Sequence, residues 1–208
     1  MLDKIVNEVK DTIVATVKGA DDILTTLRST VRNQITGLLK DTSDVGTASA
    51  DTISSVVKGA VVGTSNIVES TVDAVKNTVR AAIIGTSETS TDVLTAIRKA
   101  ARGAISGVHE IGGDISKTSI AAVEGAIDAA GKIGVDTTKA VNAAVTGVIR
   151  AADSIGAQTG ESVRKALLNA SSLPRDLVEK AIKGSREKED RPSSEASEKV
   201  REGSSEAV

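Results

Sequence analysis

The chain contains no Cys, no Phe, no Tyr and no Trp. Without thiols there is no disulfide, no zinc–thiolate site and no cysteine nucleophile. Without aromatic rings no nucleic-acid base can stack on a side chain. A core must also form without groups that each bury about 150–250 Å². Positive charge is not in excess either: 26 Lys and Arg stand against 28 Asp and Glu, for a net charge of −2. The phosphate backbone of a nucleic acid therefore finds no basic surplus. Long apolar runs are missing as well. The stretches Gly59–Val68 and Ala140–Ile149 are among the longest without a charge and span ten residues each. A membrane-spanning helix needs about 20. The opening residues Met1–Lys10 carry charge every few positions and lack the apolar core of a secretory signal. The expectation is a cytoplasmic protein with no transmembrane helix.

What the chain does have is Val, Ile, Ala and Leu, diluted by 18 Gly and by many Ser and Thr. Set out in rows of eleven from Glu8 to Ser172, it fills fifteen rows in phase. Rows alternate between an apolar type, such as Ala74–Ile84, and a more polar type, such as Gly85–Thr95, so the full unit is a double row. Eleven residues in three turns is about 3.67 per turn, or about 98° per residue. Columns 1, 5, 9, 2, 6 and 10 then follow one another round a single arc of roughly 165°. Charge tests the arc. From Thr52 to Ser172 there are 12 Lys and Arg and 11 Asp and Glu, and all 23 fall in the other five columns. A two-residue strand period cannot segregate charge in that way. The prediction is all-α: a long amphipathic helix, or a few long helices, with 11/3 periodicity, assembling as a right-handed hendecad coiled coil.

Along the chain, residues 1–40 read as an N-terminal amphipathic helix, although Glu8, Arg28 and Asp41 fall on the apolar arc. Residues 41–51 form the most polar row and read as a hinge or weak spot. Residues 52–172 are the repeat helix. Pro174 stops it, since proline removes a donor and clashes with the preceding turn. Ser171 and Ser172 are then placed to cap a short helix within 173–184, ended by Gly184. Residues 185–208 are almost free of apolar side chains and predict a disordered charged tail.

Val, Thr, Ser and Gly are weak helix formers, costing about 0.5–1 kcal/mol each relative to Ala. Burial of the arc must offset that. Small residues four apart recur at one edge of the arc: Gly59 and Gly63, Ala81 and Gly85, Gly103 and Gly107, Gly125 and Ala129, Gly147 and Ala151. Such spacing lets a second backbone approach closely, and these ten are the candidate helix-packing residues. The arc's flanks carry Lys10, Arg32, Lys76, Arg98, His109 and Arg164 with Asp21 and Asp153 on one side, and Asp92, Asp114 and Asp136 on the other. Parallel helices would bring opposite flanks together. A solvated face of mixed charge is the plainer alternative.

The eleven-residue step, with phrases such as Gly134–Lys139 and Gly59–Thr64, resembles the lipid-surface helices of perilipins and synucleins. The Ala-rich, cysteine-free amphipathic pattern is similar to that of bacterial phasins. The same rows also resemble hendecad coiled coils. The resemblances imply either a parallel homo-oligomer or a coat on lipid droplets, membranes or storage-polymer granules. The chain lacks the Lys-Thr-Lys-Glu step of synucleins and the folded lipid-binding domain of perilipins.

Catalytic chemistry has little to build on. His109 is the only histidine, and His109-Glu110 lacks the second His of a zincin helix. Gly112-Gly113 invites a reading as a turn or phosphate loop, but the repeat runs through it in phase and no Gly-Lys-Ser/Thr follows. Carboxylates such as Glu88 and Asp92 fall on the polar face, and a sequon at Asn169-Ala-Ser171 has no secretory signal to serve it. The expectation is a non-enzymatic structural protein with no cofactor, no metal, no small-molecule substrate and no nucleic-acid partner.

Overall fold

An oxygen-bearing side chain at the start of a helix recurs once per double row, at Ser70, Asp92, Asp114 and Asp136. Each accepts the backbone N–H three residues on, from Asp73 (3.2 Å), Thr95 (2.8 Å), Lys117 (3.0 Å) and Lys139 (2.9 Å). These are N-caps, which satisfy donors that a helix start leaves orphaned. Two glycines, one double row apart, close the preceding helices in the left-handed region: Gly112 at φ 67° and Gly134 at φ 72°. The next N–H then reaches back five residues, from Gly113 to Val108 (2.9 Å) and from Val135 to Ala130 (3.0 Å). The repeating unit is thus one helix and one turn.

The computed structural model describes residues 2–17, 22–41, 46–67, 70–89 and 91–189. Within them the chain is all-helical: α1 (Leu2–Val17), α2 (Ile23–Asp41), α3 (Gly46–Thr64), α4 (Thr71–Ser87), α5 (Val93–Glu110), α6 (Ile115–Ile133), α7 (Thr137–Ile155), α8 (Ala157–Asn169) and α9 (Arg175–Glu189). The continuous helix expected over 52–172 is therefore a series of helices, because a cap and a stop recur along it. Gly112-Gly113 is a turn after all. Asp92, Asp114 and Asp136, expected as flank charges, are spent on helix starts. The predicted N-terminal helix is two helices. Residues 18–21 between them lie outside the described residues, as do 42–45 of the predicted weak spot and 190–208 of the predicted tail. The short helix placed within 173–184 starts later and runs through Gly184 to Glu189. It opens on the Pro174 carbonyl, which accepts from Leu177 (3.0 Å) and Val178 (3.1 Å), rather than on a serine side chain. Proline is well tolerated at a helix start because its missing N–H would be unpaired there anyway.

Each helix from α1 to α7 packs most extensively on a helix two places along, which divides the chain into two layers. One holds α1, α3, α5, α7 and α9, and the other α2, α4, α6 and α8. Short connections carry the chain from one layer to the other, so helices within a layer run parallel. Only α8 departs, leaning more on α7 than on α6. The core lies between and within the layers and is almost wholly aliphatic: Ile13, Leu27, Ile35, Ile53, Ile83, Ile97, Ile105, Ile149 and Leu167 are its largest fully buried side chains. Burying one such side chain contributes about 1.5–3 kcal/mol. Among the described residues the only large apolar side chains left exposed are Leu2 and Val72.

The caps carry a pH signature. Hydrogen bonds from Thr95 hold the Asp92 carboxyl below its ordinary value of 3.8, against a smaller opposing effect of burial. A depressed carboxylate stabilises above its unfolded pKa, and that contribution is lost as pH falls through the folded value. Asp92→Asn keeps a capping oxygen without the titration. Below about pH 4 the melting temperature of the wild type is therefore expected to fall more steeply than that of Asp92→Asn. Parallel melting curves from about pH 7 down to about pH 3 decide it; identical slopes would remove Asp92 from the account.

Candidate functional site

The ten small residues of the arc are all buried. A Cβ built on Gly59 would stand 2.6 Å from the Val6 carbonyl oxygen, and one on Gly63 3.0 Å from that of Lys10, so α3 lies directly on α1. The same holds for Gly85 against Arg32 (3.0 Å), Gly107 against Lys58 (3.1 Å) and Gly125 against Lys76 (2.5 Å). Gly103 and Gly147 sit nearer still to the carbonyls of Ser54 and Arg98. Ala81, Ala129 and Ala151 complete the pairs within 4% exposure. Backbone meets backbone at these points. The partner, however, is the helix two places earlier in the same chain.

The register of these contacts is regular. Gly103, Gly107, Gly125 and Gly147 each face the carbonyl at i−49, whereas Gly59, Gly63 and Gly85 face the one at i−53. Pairs spanning the α2–α3 connection thus carry an insertion of four. The caps shift by the same amount: Asp22, which accepts the Thr25 N–H at 3.0 Å, precedes Ser70 by four positions more than two full repeats. This explains why charges stand out of column upstream. With Asp22 aligned on Ser70, Glu8, Asp11 and Ala15 of α1 correspond to Val56, Gly59 and Gly63 of α3, the face that a preceding helix covers. No described helix precedes α1 in its layer, and all three of its residues are exposed. Arg28 likewise corresponds to Lys76 of α4, a polar position.

Ion pairs run beside the glycine contacts. Lys58 bonds Glu110 at 2.7 Å and Lys99 pairs with Asp51, joining α3 to α5. Lys76 reaches Glu124 (3.2 Å) and Asp128 (3.4 Å), joining α4 to α6, and Arg32 of α2 pairs with Glu88 at the end of α4. Burial works against the Lys76 charge, but the Glu124 and Asp128 carboxylates together outweigh it and hold the ammonium above its usual range. Of the predicted flank cations, Arg32 and Lys76 do bridge parallel neighbours, while Lys10 and His109 are exposed.

No family model matches this chain, and no curated protein proved similar to it. The site is therefore defined by its own geometry.

Two of its features escape a column-by-column reading of the sequence. The capping series is visible as Asp once per double row, but a column number does not mark a residue as a cap. The other is a nearly buried pair: Arg164 of α8 donates twice to Asp153 of α7, at 2.7 Å and 2.7 Å. Both residues share a column, and nothing in column arithmetic says that a helix break at Gly156 folds one onto the other. Among the described residues there is no group of three or more His, Cys, Asp or Glu suited to a metal ion, and no helix long and apolar enough to cross a membrane.

Proposed function

We propose that this is a non-enzymatic structural protein, a stack of parallel-layered helices acting as a scaffold. One observation supports that reading: the apolar arc, whose burial demanded a partner, is covered by neighbouring helices of the same chain in a repeated register. A solenoid of this kind adds each unit's interface to the last and closes its ends with polar helices. Self-association through the arc would first require the stack to open. The expectation is a strongly helical 21.2-kDa monomer whose melting temperature does not depend on concentration. Sedimentation velocity and circular dichroism at micromolar and hundred-fold higher concentration test this. A melting temperature that climbs with concentration would favour a bundle formed between copies.

A coat on an apolar surface is the second reading, favoured by the complete absence of charge from the arc between Thr52 and Ser172. A chain that unstacked at an oil or granule surface would present that arc without interruption. Transfer of the protein from buffer to emulsion droplets would support it; full retention in buffer would count against it.

A further inference from the structure

Among the described residues, six Lys or Arg are half-buried: Arg28, Lys58, Lys76, Arg80, Arg98 and Lys99. The three lysines are matched by carboxylates across the layer. For the three arginines no carboxylate among the described residues comes within ion-pair distance. A half-buried guanidinium without such a contact gives up hydration with little in return. Two of these three, Arg28 and Arg80, line the same depression.

That depression lies between α2 and α4, holds about 290 Å³, and is lined by Thr25, Arg28, Ser29, Arg32, Arg80 and Ile84. Arg32 is held by Glu88. Arg28 donates through Nη2 to the Thr25 hydroxyl at 2.7 Å. The nearby Asp22 carboxylate is taken up as the cap of α2. Three arginines from two helices thus line one depression, two of them held by a fixed partner, together with Thr25 and Ser29.

We propose that this depression binds a phosphoryl group. Arginine forks match the tetrahedral oxygens of phosphate with paired, charge-assisted hydrogen bonds that a lysine ammonium does not offer. Counted with Glu88 and with the nearby Asp22 carboxylate, which interacts with Arg28, the three arginines leave one net positive charge, so it is the fork geometry that favours a phosphoryl group. The depression borders the α2–α4 contact, since Gly85 packs on Arg32 and the packing residue Ala81 also lines it, but the atoms nearest Gly85 belong to Arg32 and not to Arg28 or Arg80.

The test is titration calorimetry of the full chain at low ionic strength with pyrophosphate as the probe. Binding is expected, and the double variant Arg28→Gln/Arg80→Gln should weaken it at least about tenfold. Arg98→Gln, which removes the third of these arginines from a different place, should leave it unchanged. Circular dichroism confirms that each variant keeps its helicity. Flotation with phosphatidylcholine vesicles containing phosphatidic acid, lost in the double variant, would assign the phosphoryl group to a lipid headgroup. Pyrophosphate binding without flotation would assign it to a soluble ligand. No binding, equal binding by the double variant, or an equal loss in Arg98→Gln would overturn the proposal.

Discussion

Gly103→Ala and Gly147→Ala are each expected to destabilise the protein, while Gly131→Ala stabilises it. All three glycines are inside helices, where Ala is ordinarily favoured by about 0.8–1 kcal/mol. Helix propensity alone would therefore raise stability at every site. At Gly131 nothing lies within 4 Å of the added methyl, so the full gain should appear. At Gly103 and Gly147 the methyl would land on the carbonyls of Ser54 and Arg98. Those are backbone atoms of a packed neighbour and cannot turn aside as a side chain would. The helices must separate, and overpacking of this kind costs about 1–3 kcal/mol, occasionally more. With backbone atoms in the way the cost lies towards the upper end of that range, so the steric term wins, leaving a net loss of up to about 2 kcal/mol. For a chain of this size each kcal/mol lowers the melting temperature by about 2–4 °C. Leucine at Gly103 and Gly107 together should prevent the native stack from forming. Thermal melts of the three alanine variants suffice. If Gly103→Ala melts at or above the wild type, the close contacts are not what fixes the register.

Arg164→Met should cost more than either glycine-to-alanine change. The Arg164 side chain is 11% exposed and that of Asp153 24%. They share two bonds of 2.7 Å. Gly160 lies directly beneath, since a Cβ there would overlap the Asp153 carboxylate and come within 2.9 Å of Arg164 Nη1. Removing the arginine strands a carboxylate in the cleft between α7 and α8. Breaking a fully buried pair costs about 3–5 kcal/mol, and the partial exposure of Asp153 reduces this to about 2–4 kcal/mol. Removing both charges in Asp153→Ala/Arg164→Met should recover part of the loss, because no stranded ion remains. Urea unfolding of the four proteins gives the coupling as a double-mutant cycle. A coupling near zero would reduce the pair to an ordinary surface contact.

The helical class, the amphipathic arc and the role of the small residues were legible because each depends on a face of a single helix. Charge exclusion from six columns is a property of azimuth, and it survives whether a helix continues or turns back. That same robustness hid the turns. The unit is two hendecads, so a helix of the length of α5 plus a short reversal returns every column to its place. Periodicity could not separate one long helix from many short ones. The deciding marks were local, in the capping oxygens of Asp92, Asp114 and Asp136 and the left-handed Gly112 and Gly134. The Arg164–Asp153 pair and the arginine depression were less legible still, since both are made by residues that only the fold brings together.

Because every stacking glycine joins its helix to the one two places earlier, no helix waits on a distant part of the chain. During synthesis, once α3 has emerged, α1 already has its mate, and each later helix arrives at a surface that is finished and waiting. A chain held by such neighbour contacts is expected to nucleate wherever one helix pair forms first and to spread from there, unit by unit, through contacts that stay local at every stage.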